Sequence, residues 1–279
     1  MNISDPRFHA AVEAIDAGDI ALLNDLLAQH PQLIRDRYIS SWDGYFKDPY
    51  LIWYIADNPI RNGKLPSNIV DVAHTLVNYV QLEAGDSAAF QLDYTFGLVA
   101  TGRTPRESGV QLALIDLLID AGVIPGTGIG AIAHGNLEAA SRILERGGTM
   151  TLAAAVCLQR TEDIAWLSQR STTEDKNLAL VAAAFYGQAN MVASLIGWGA
   201  QVNAYPDKAS GFHSHATALH QAVYSGSLDT VKTLVEAGAD LQLKDRIYHA
   251  TPLEWIEYMQ RENGHLSGKF ALIAEYLRR

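Results

Sequence analysis

Cysteine is almost absent: Cys157 is the one cysteine in 279 residues, which excludes an intramolecular disulfide framework and leaves no cysteine cluster to hold zinc. Proline is sparse at 9 residues, and the 22 glycines are scattered rather than gathered in blocks, so nothing resembles a collagenous or low-complexity chain. Positive charge is short of negative, with 21 Lys and Arg against 31 Asp and Glu and a formal net charge of −10. That balance argues against a protein that grips a phosphate backbone, and no local basic stripe reverses it. No uninterrupted apolar run reaches the length of a membrane span. The opening Met1-Asn2-Ile3-Ser4-Asp5-Pro6 has neither the basic start nor the apolar stretch of a secretory signal, so a cytoplasmic protein is expected. What is present is 48% hydrophobic residues, enough for a folded core, in a length that suits one or two closed domains or a longer repeat array.

Repetition decides between those options. Thr217-Ala218-Leu219-His220-Gln221-Ala222 opens a stretch that continues through Tyr224-Ser225-Gly226 and Leu228 to Val235, and closes at Ala237-Gly238-Ala239-Asp240. Thr251-Pro252-Leu253 begins the same phrase again, 34 residues after Thr217. These residues resemble the ankyrin repeat, whose pattern is T-P-L-H-x-A, a helix, a glycine turn, a second apolar helix and a G-A-D close. The opening motif departs from the family only at Ala218, in place of Pro. Further back, Leu178-Ala179-Leu180 through Gly187, Met191-Val192 and Gly199-Ala200 keep the frame at a spacing of 39, so the surplus must form an enlarged hairpin from Ala204 to Ala216. Leu152 to Ala155 with Ile164 to Leu167, and Ile129 to Ala133 with Leu137 to Leu144, alternate with shorter spacers. The first third degenerates but keeps the rhythm: Phe8 to Ala17 with Ile20 to Gln29, Tyr50 to Ala56 with Ile69 to Val80, and Phe90 to Ala100 with Val110 to Ala121. The resemblance implies an all-α ankyrin-repeat solenoid of about eight helix-turn-helix repeats over a single domain, 1–279, irregular over 1–127 and clearer over 128–279.

A short two-helix unit cannot cover its own apolar faces, so Leu219, Ala222, Val231, Leu234 and Val235 are expected to be buried against neighbouring repeats. Gly226 and Gly238 fall where a helix ends and the backbone must turn left-handed. Thr217 reads as an N-cap, and Pro252 as a first helical residue whose missing N–H costs nothing. Arg7, His9, Glu13 and Asp16 at one end, and Glu275, Arg278 and Arg279 at the other, supply the polar outer faces that terminal repeats need.

Candidate chemistry is thin. Gly126-Thr127-Gly128-Ile129-Gly130-Ala131 satisfies G-x-G-x-x-A, yet Leu112 to Ala121 before it is spaced as a helix and not as the strand a dinucleotide site requires, so no cofactor is expected. His213, His215 and His220 form the densest group of potential metal ligands, with Asp207 as a carboxylate nearby. By resemblance, however, His220 sits at the T-P-L-H position, where the imidazole is structural and bridges hairpin backbones; metal or small-molecule binding on the histidine hairpin 211–220 is the alternative reading, not the first. Cys157 has no charged neighbour on its own helix, Glu254 and Glu257 read as a solvated face, and no G-x-S-x-G elbow occurs. No enzyme is expected, although an active site in the irregular half, with Trp42 to Asp48 and His74 lining a cleft, is kept as a rival. Arg103, Pro105, Arg106 and Glu107 read as an exposed loop.

By resemblance, the residues before the turn glycine and the hairpin tips line the face on which the family binds partners. Here those positions are Phe185-Tyr186, Tyr224-Ser225 and Tyr258-Met259, an aromatic row over three repeats. Tyr205, Asp207, Lys208, Phe212 and His213 flank it on the enlarged hairpin, and Lys244, Arg246, Tyr248 and His249 on the next. Rigid aromatic rings among polar neighbours are what binding surfaces concentrate. A second patch, Ser40 to Asp48, contributes Trp42 and Tyr45. The function expected is protein binding by a monomer, with a basic or neutral partner favoured by the acidic balance and with neither nucleic acid nor membrane involved.

Overall fold

Helices begin where a short polar side chain can take over an orphaned backbone N–H. In the computed structural model, which describes residues 6–39, 44–207, 210–263 and 268–278, Asp19 accepts from Leu22 N at 3.0 Å and Thr151 from Ala154 N at 3.2 Å. Thr172 and Asp175 close a reciprocal capping box. Thr251 and Glu254 close another, with Thr251 N donating to Glu254 Oε2 at 2.6 Å, Glu254 N donating to Thr251 Oγ1 at 3.3 Å, and Pro252 as the first helical residue. At the other ends, Gly226 (φ +71°) and Gly238 (φ +92°) take the left-handed conformation expected of them.

These signals set out seventeen α-helices and no strand among the described residues. In chain order they are α1 (Pro6–Ala17), α2 (Ile20–Gln29), α3 (Gln32–Arg35), α4 (Ile69–Glu83), α5 (Ala88–Thr101), α6 (Arg103–Glu107), α7 (Gln111–Asp120), α8 (Ile129–Ala133), α9 (Leu137–Glu145), α10 (Leu152–Cys157), α11 (Thr161–Ser168), α12 (Thr173–Phe185), α13 (Ala189–Gly197), α14 (Ala218–Ser225), α15 (Leu228–Glu236), α16 (Pro252–Asn263) and α17 (Gly268–Leu277). The chain divides into two compact units, Met1–Thr149 and Met150–Arg279.

In the first unit the helix-pair rhythm persists with one substitution. Leu51–Ala56 forms a 3-10 helix in the place of an inner α-helix, with all of its residues buried and packed on α1, α4 and α5. Asp57 (φ +45°) ends it, and its buried carboxylate accepts from Arg61 N at 2.9 Å, Gly63 N at 3.0 Å and the Thr104 hydroxyl at 3.1 Å. Residues 103–107 are helical rather than a loop: α6 buries Thr104 and Pro105 and leaves Arg103 and Glu107 exposed as an i,i+4 pair at 3.7 Å. Proline is tolerated there because the first turn of a helix has no intrahelical use for its N–H. Between α7 and α9, Arg142 holds Asp116 with bonds of 2.9, 3.1 and 2.6 Å.

The second unit is more regular. Inner helices α10, α12, α14 and α16 pack successively, each against its own outer helix α11, α13, α15 or α17. Alanines make the close approach possible: Ala153, Ala154 and Ala155 on α10, Ala182, Ala183 and Ala184 on α12, and Ala222 on α14 are all buried. Leu219, Val231 and Leu234 are buried as expected. Polar side chains stitch one repeat to the next, with Asn203 Nδ2 donating to Gly238 O at 3.0 Å and Asn203 Oδ1 accepting from Asp240 N at 2.8 Å. α12 begins about a turn earlier than the apolar run from Leu178 implied, because its capping box at Thr172 recruits the polar residues ahead of that run.

Candidate protein-binding groove

The hairpin between α15 and α16 is built around one carboxylate. Asp245 is buried, and it accepts from Ile247 N at 2.9 Å, Tyr248 N at 2.6 Å, Ala250 N at 3.1 Å and the Trp255 indole Nε1 at 3.0 Å. Burial by itself pushes the Asp245 carboxyl up; the indole and the backbone N–H groups more than offset this and hold it below the usual carboxylate range. With three of its donors within four residues of the tip, the hairpin is fixed so that Tyr248 and His249 project outward.

A second anchor ties this hairpin to α14. Thr217 meets His220 Nδ1 through both its N–H (3.3 Å) and its hydroxyl (2.8 Å), while His220 Nε2 lies 3.0 Å from Ala250 O. Nδ1 therefore accepts and Nε2 donates, the arrangement of a neutral imidazole. Burial lowers the His220 pKa, in keeping with that state. The bridging role implied for His220 by the family resemblance is thus present in the hydrogen bonds. The enlarged hairpin joins in through Arg246 N, which donates to His215 O at 2.8 Å, and through the Tyr205 hydroxyl, which donates to Lys244 O at 2.5 Å.

On this frame the rings form a continuous ladder. Phe185 stacks on Tyr224 with centroids 5.7 Å apart and planes within 13°, and on His213 at 5.1 Å. His213 lies 6.1 Å from His215, which lies at the same distance from both Tyr248 and Trp255. Beside the ladder opens a groove of about 1190 Å³, lined by side chains from both hairpins and from α14 and α16, including Tyr224, Tyr248 and Tyr258. Those three tyrosines are 52%, 72% and 56% exposed.

Several expected positions are displaced from the surface. Phe212 is 1% exposed and packs edge-on against Phe185 at 5.7 Å, so it belongs to the core beneath the groove and is no direct contact; with Pro206 and Ala216, also buried, it seals the long hairpin. Phe185 and Tyr186 are half-buried against each other at 5.1 Å, and burial raises the Tyr186 pKa. Tyr205 spends its hydroxyl on Lys244, and the Arg246 guanidinium covers its ring at 4.1 Å, which makes the pair a cation–π clasp between hairpins. His213 and His249 line the groove with the tyrosines. Tyr45 belongs to the first unit, where it is exposed and donates to Asn58 Oδ1 at 2.8 Å. Trp42, with Ser40, Ser41 and Asp43, lies outside the described residues, as do Lys208 and Arg279.

Two groove residues, Trp255 and Gln221, and the buried Asp245 that fixes the hairpin beside them escaped sequence reasoning. Trp255 and Asp245 carry no family signature, and only the mutual satisfaction of indole and carboxylate exposes their role. Gln221 occupies the variable position of the T-A-L-H-x-A phrase, so nothing in the motif marks it; it lines the groove at 1% exposure.

The rival chemistries find little in the described residues. No group of three His, Cys, Asp or Glu that could hold a metal ion occurs among them, and both nitrogens of His220 are engaged within the chain. Glu254 belongs to its capping box, and Glu257 pairs with Arg278 at 3.1 Å. Cys157 is buried, and burial pushes its thiol up to about 12, which removes the thiolate that nucleophilic chemistry requires. A pocket of about 580 Å³ in the first unit is lined by Glu13, Asp16, Asn62 and Lys64 among others, and neither His74 nor Tyr45 takes part in it.

Stacked helix pairs, small inner residues and a T-x-L-H bridge define a repeat protein. Residues 129–245 match the family model for ankyrin repeats, in three copies. That segment carries ankyrin repeats within a chain whose described residues form helices and no strand, and such repeats in general serve as protein-interaction modules. Among solved structures it is similar to the ankyrin repeat domain of Bcl-3, described as a unique member of the IkappaB protein family, with 21% identity over 100% of both chains and a TM-score of 0.36. No curated protein matches the chain in sequence.

Proposed function

We propose that this protein binds another protein through the groove of its second unit, acting as a monomeric, non-catalytic recognition module in the cytoplasm. The carrying observation is the convergence of Tyr224, Tyr248 and Tyr258, all exposed, on one groove whose walls are fixed by the buried Asp245 and His220. Large rings held in place by a buried hydrogen-bond network lose little conformational freedom on binding, so their contact area is translated into affinity with a small entropic offset. The acidic balance favours a basic or neutral partner surface. The cytoplasmic assignment is supported by composition, with a single cysteine and no disulfide framework.

The test is affinity capture with wild type and with a Tyr224→Ala, Tyr248→Ala, Tyr258→Ala variant. All three rings are exposed, so the variant should melt within a few degrees of wild type. A partner held by wild type and lost by the variant supports the reading. A partner held equally by both removes the groove from consideration and redirects attention to Tyr45 in the first unit.

A further inference from the structure

Gln221 is the one polar side chain of the groove for which burial and bonding disagree. It is 1% exposed on α14, and neither its Oε1 nor its Nε2 has a hydrogen-bond partner among the described residues. A buried carboxamide without partners is costly, and native interiors rarely keep one without a use for it. Other buried glutamines keep at least one bond: Gln111 Nε2 donates to Val99 O at 2.9 Å, and Gln91 Nε2 to Ile34 O at 2.9 Å although its Oε1 has no partner, whereas Gln221 lacks a partner on both atoms. Gln221 differs in lining the groove, beside the tyrosines and His215.

The unfilled valences specify their complement. A carboxamide offers one acceptor and one donor side by side in a plane, so the matching group must offer a donor and an acceptor on one edge. In an extended polypeptide the N–H and C=O of a single residue point to the same side of the strand, which is why such a residue exchanges both bonds with its partner in an antiparallel pair. A purine edge has a similar pattern, but the net charge of −10 opposes a phosphate-bearing ligand, and the groove wall, where Glu254 and Glu257 are balanced by Arg261 and Arg278, offers no excess of positive charge to reverse it. We propose that Gln221 is a main-chain reader: its carboxamide pairs with the N–H and C=O of one residue in an extended segment of the partner protein, laid along the groove between Tyr224 and Tyr248. This rests on the protein-binding reading of the groove and adds what it recognises. Affinity then comes from the tyrosines, and Gln221 selects conformation rather than side-chain identity.

The probe is a set of twelve-residue peptides selected from a displayed random library against the full wild-type chain, with dissociation constants measured by fluorescence anisotropy. Gln221→Leu is expected to weaken selected peptides by about 10- to 100-fold, as the loss of two neutral hydrogen bonds would. The same variant should melt at or above the wild-type temperature, because it removes an unsatisfied buried amide; a purely structural glutamine would give a lower melting temperature instead. Gln221→Met serves as a second apolar variant should Leu disturb packing. N-methylation along the peptide should find one position at which the methyl costs wild type the full factor and costs Gln221→Leu nothing further. Peptides that bind Gln221→Leu as tightly as wild type, yet lose binding to the triple tyrosine variant, overturn the main-chain reader and leave the groove standing. Peptides indifferent to both variants, or no peptides at all, overturn both readings, and adenosine binding abolished by Gln221→Leu replaces the peptide with a nucleobase.

Discussion

Burial acts on titratable side chains in opposite directions according to which form is charged, and the second unit contains both cases. Cys157, pushed up to about 12 by burial, stays a thiol throughout the neutral range. In the folded protein it should resist iodoacetamide at pH 8 for hours and alkylate within minutes once denatured; mass spectrometry counts the adducts, and fast labelling of the native chain would show that α10 opens readily. Its contribution to stability is complete below the ordinary thiol pKa and is lost as pH rises from there toward 12. His220 runs the other way. Burial lowers its pKa, against the opposing pull of Ala250 O and Asp245, so the unfolded chain takes up a proton before the folded one does. The stability it provides is complete above about pH 6.5 and declines as pH falls through the folded value, with a limiting slope of about 1.4 kcal/mol per pH unit for one proton. His220→Gln should melt lower at pH 7 and show a shallower decline in acid. Equal slopes for variant and wild type would place the acid sensitivity elsewhere.

At the level of elements, the hairpin before α16 concentrates its stability in one side chain. Asp245→Ala would strip partners from the Ile247, Tyr248 and Ala250 N–H groups and from the Trp255 indole at once. Loss of bonds to a charged acceptor, with buried donors left behind, is expected to cost about 3 kcal/mol. Asp245→Asn, which keeps one acceptor oxygen but turns an amide NH2 toward two of the four donors, should recover only a small part of this. Urea unfolding separates the two, and a variant unchanged in midpoint would mean that water replaces the carboxylate. This dependence was invisible beforehand, because an aspartate in a hairpin reads as a solvated turn residue until Trp255 closes over it. By contrast the helix pairs were legible wherever the hydrophobic period of a helix and a capping residue coincided, as at Thr217, Thr251 and Gly226. They were misread where a short apolar stretch fits more than one conformation: Leu51–Ala56, crowded with aromatic and β-branched residues, winds as a 3-10 helix. Phe212 shows the same limit for the site, since a ring in a long loop carries no periodic mark to tell core from surface.

Stacked repeats share their core only with immediate neighbours, so the stability of the whole molecule should vary along the chain rather than rise and fall as one. In the second unit α12 has α10 on one side and α14 on the other, and its residues from Ala179 to Ala184 are all buried. The last pair, α16 and α17, has packed helices of the preceding repeat on one side, and α17 buries Ile273, Ala274 and Leu277. Amide hydrogen exchange should therefore show α17 opening at a far smaller free energy than α12, with protection lower by about 100-fold or more at matched pH. The groove spans α14, its two hairpins and α16, so a bound partner would bridge two successive repeats. Ligation should raise protection in α16 and α17 more than in α12, because binding free energy is added where local opening would break the site. A uniform profile that shifts uniformly on binding would mean that the unit unfolds as a single cooperative body. Protection that rises on binding only toward the end repeat would instead tie recognition to the ordering of that repeat, since the face made by Tyr248 and Tyr258 is complete only when α16 is docked against α14.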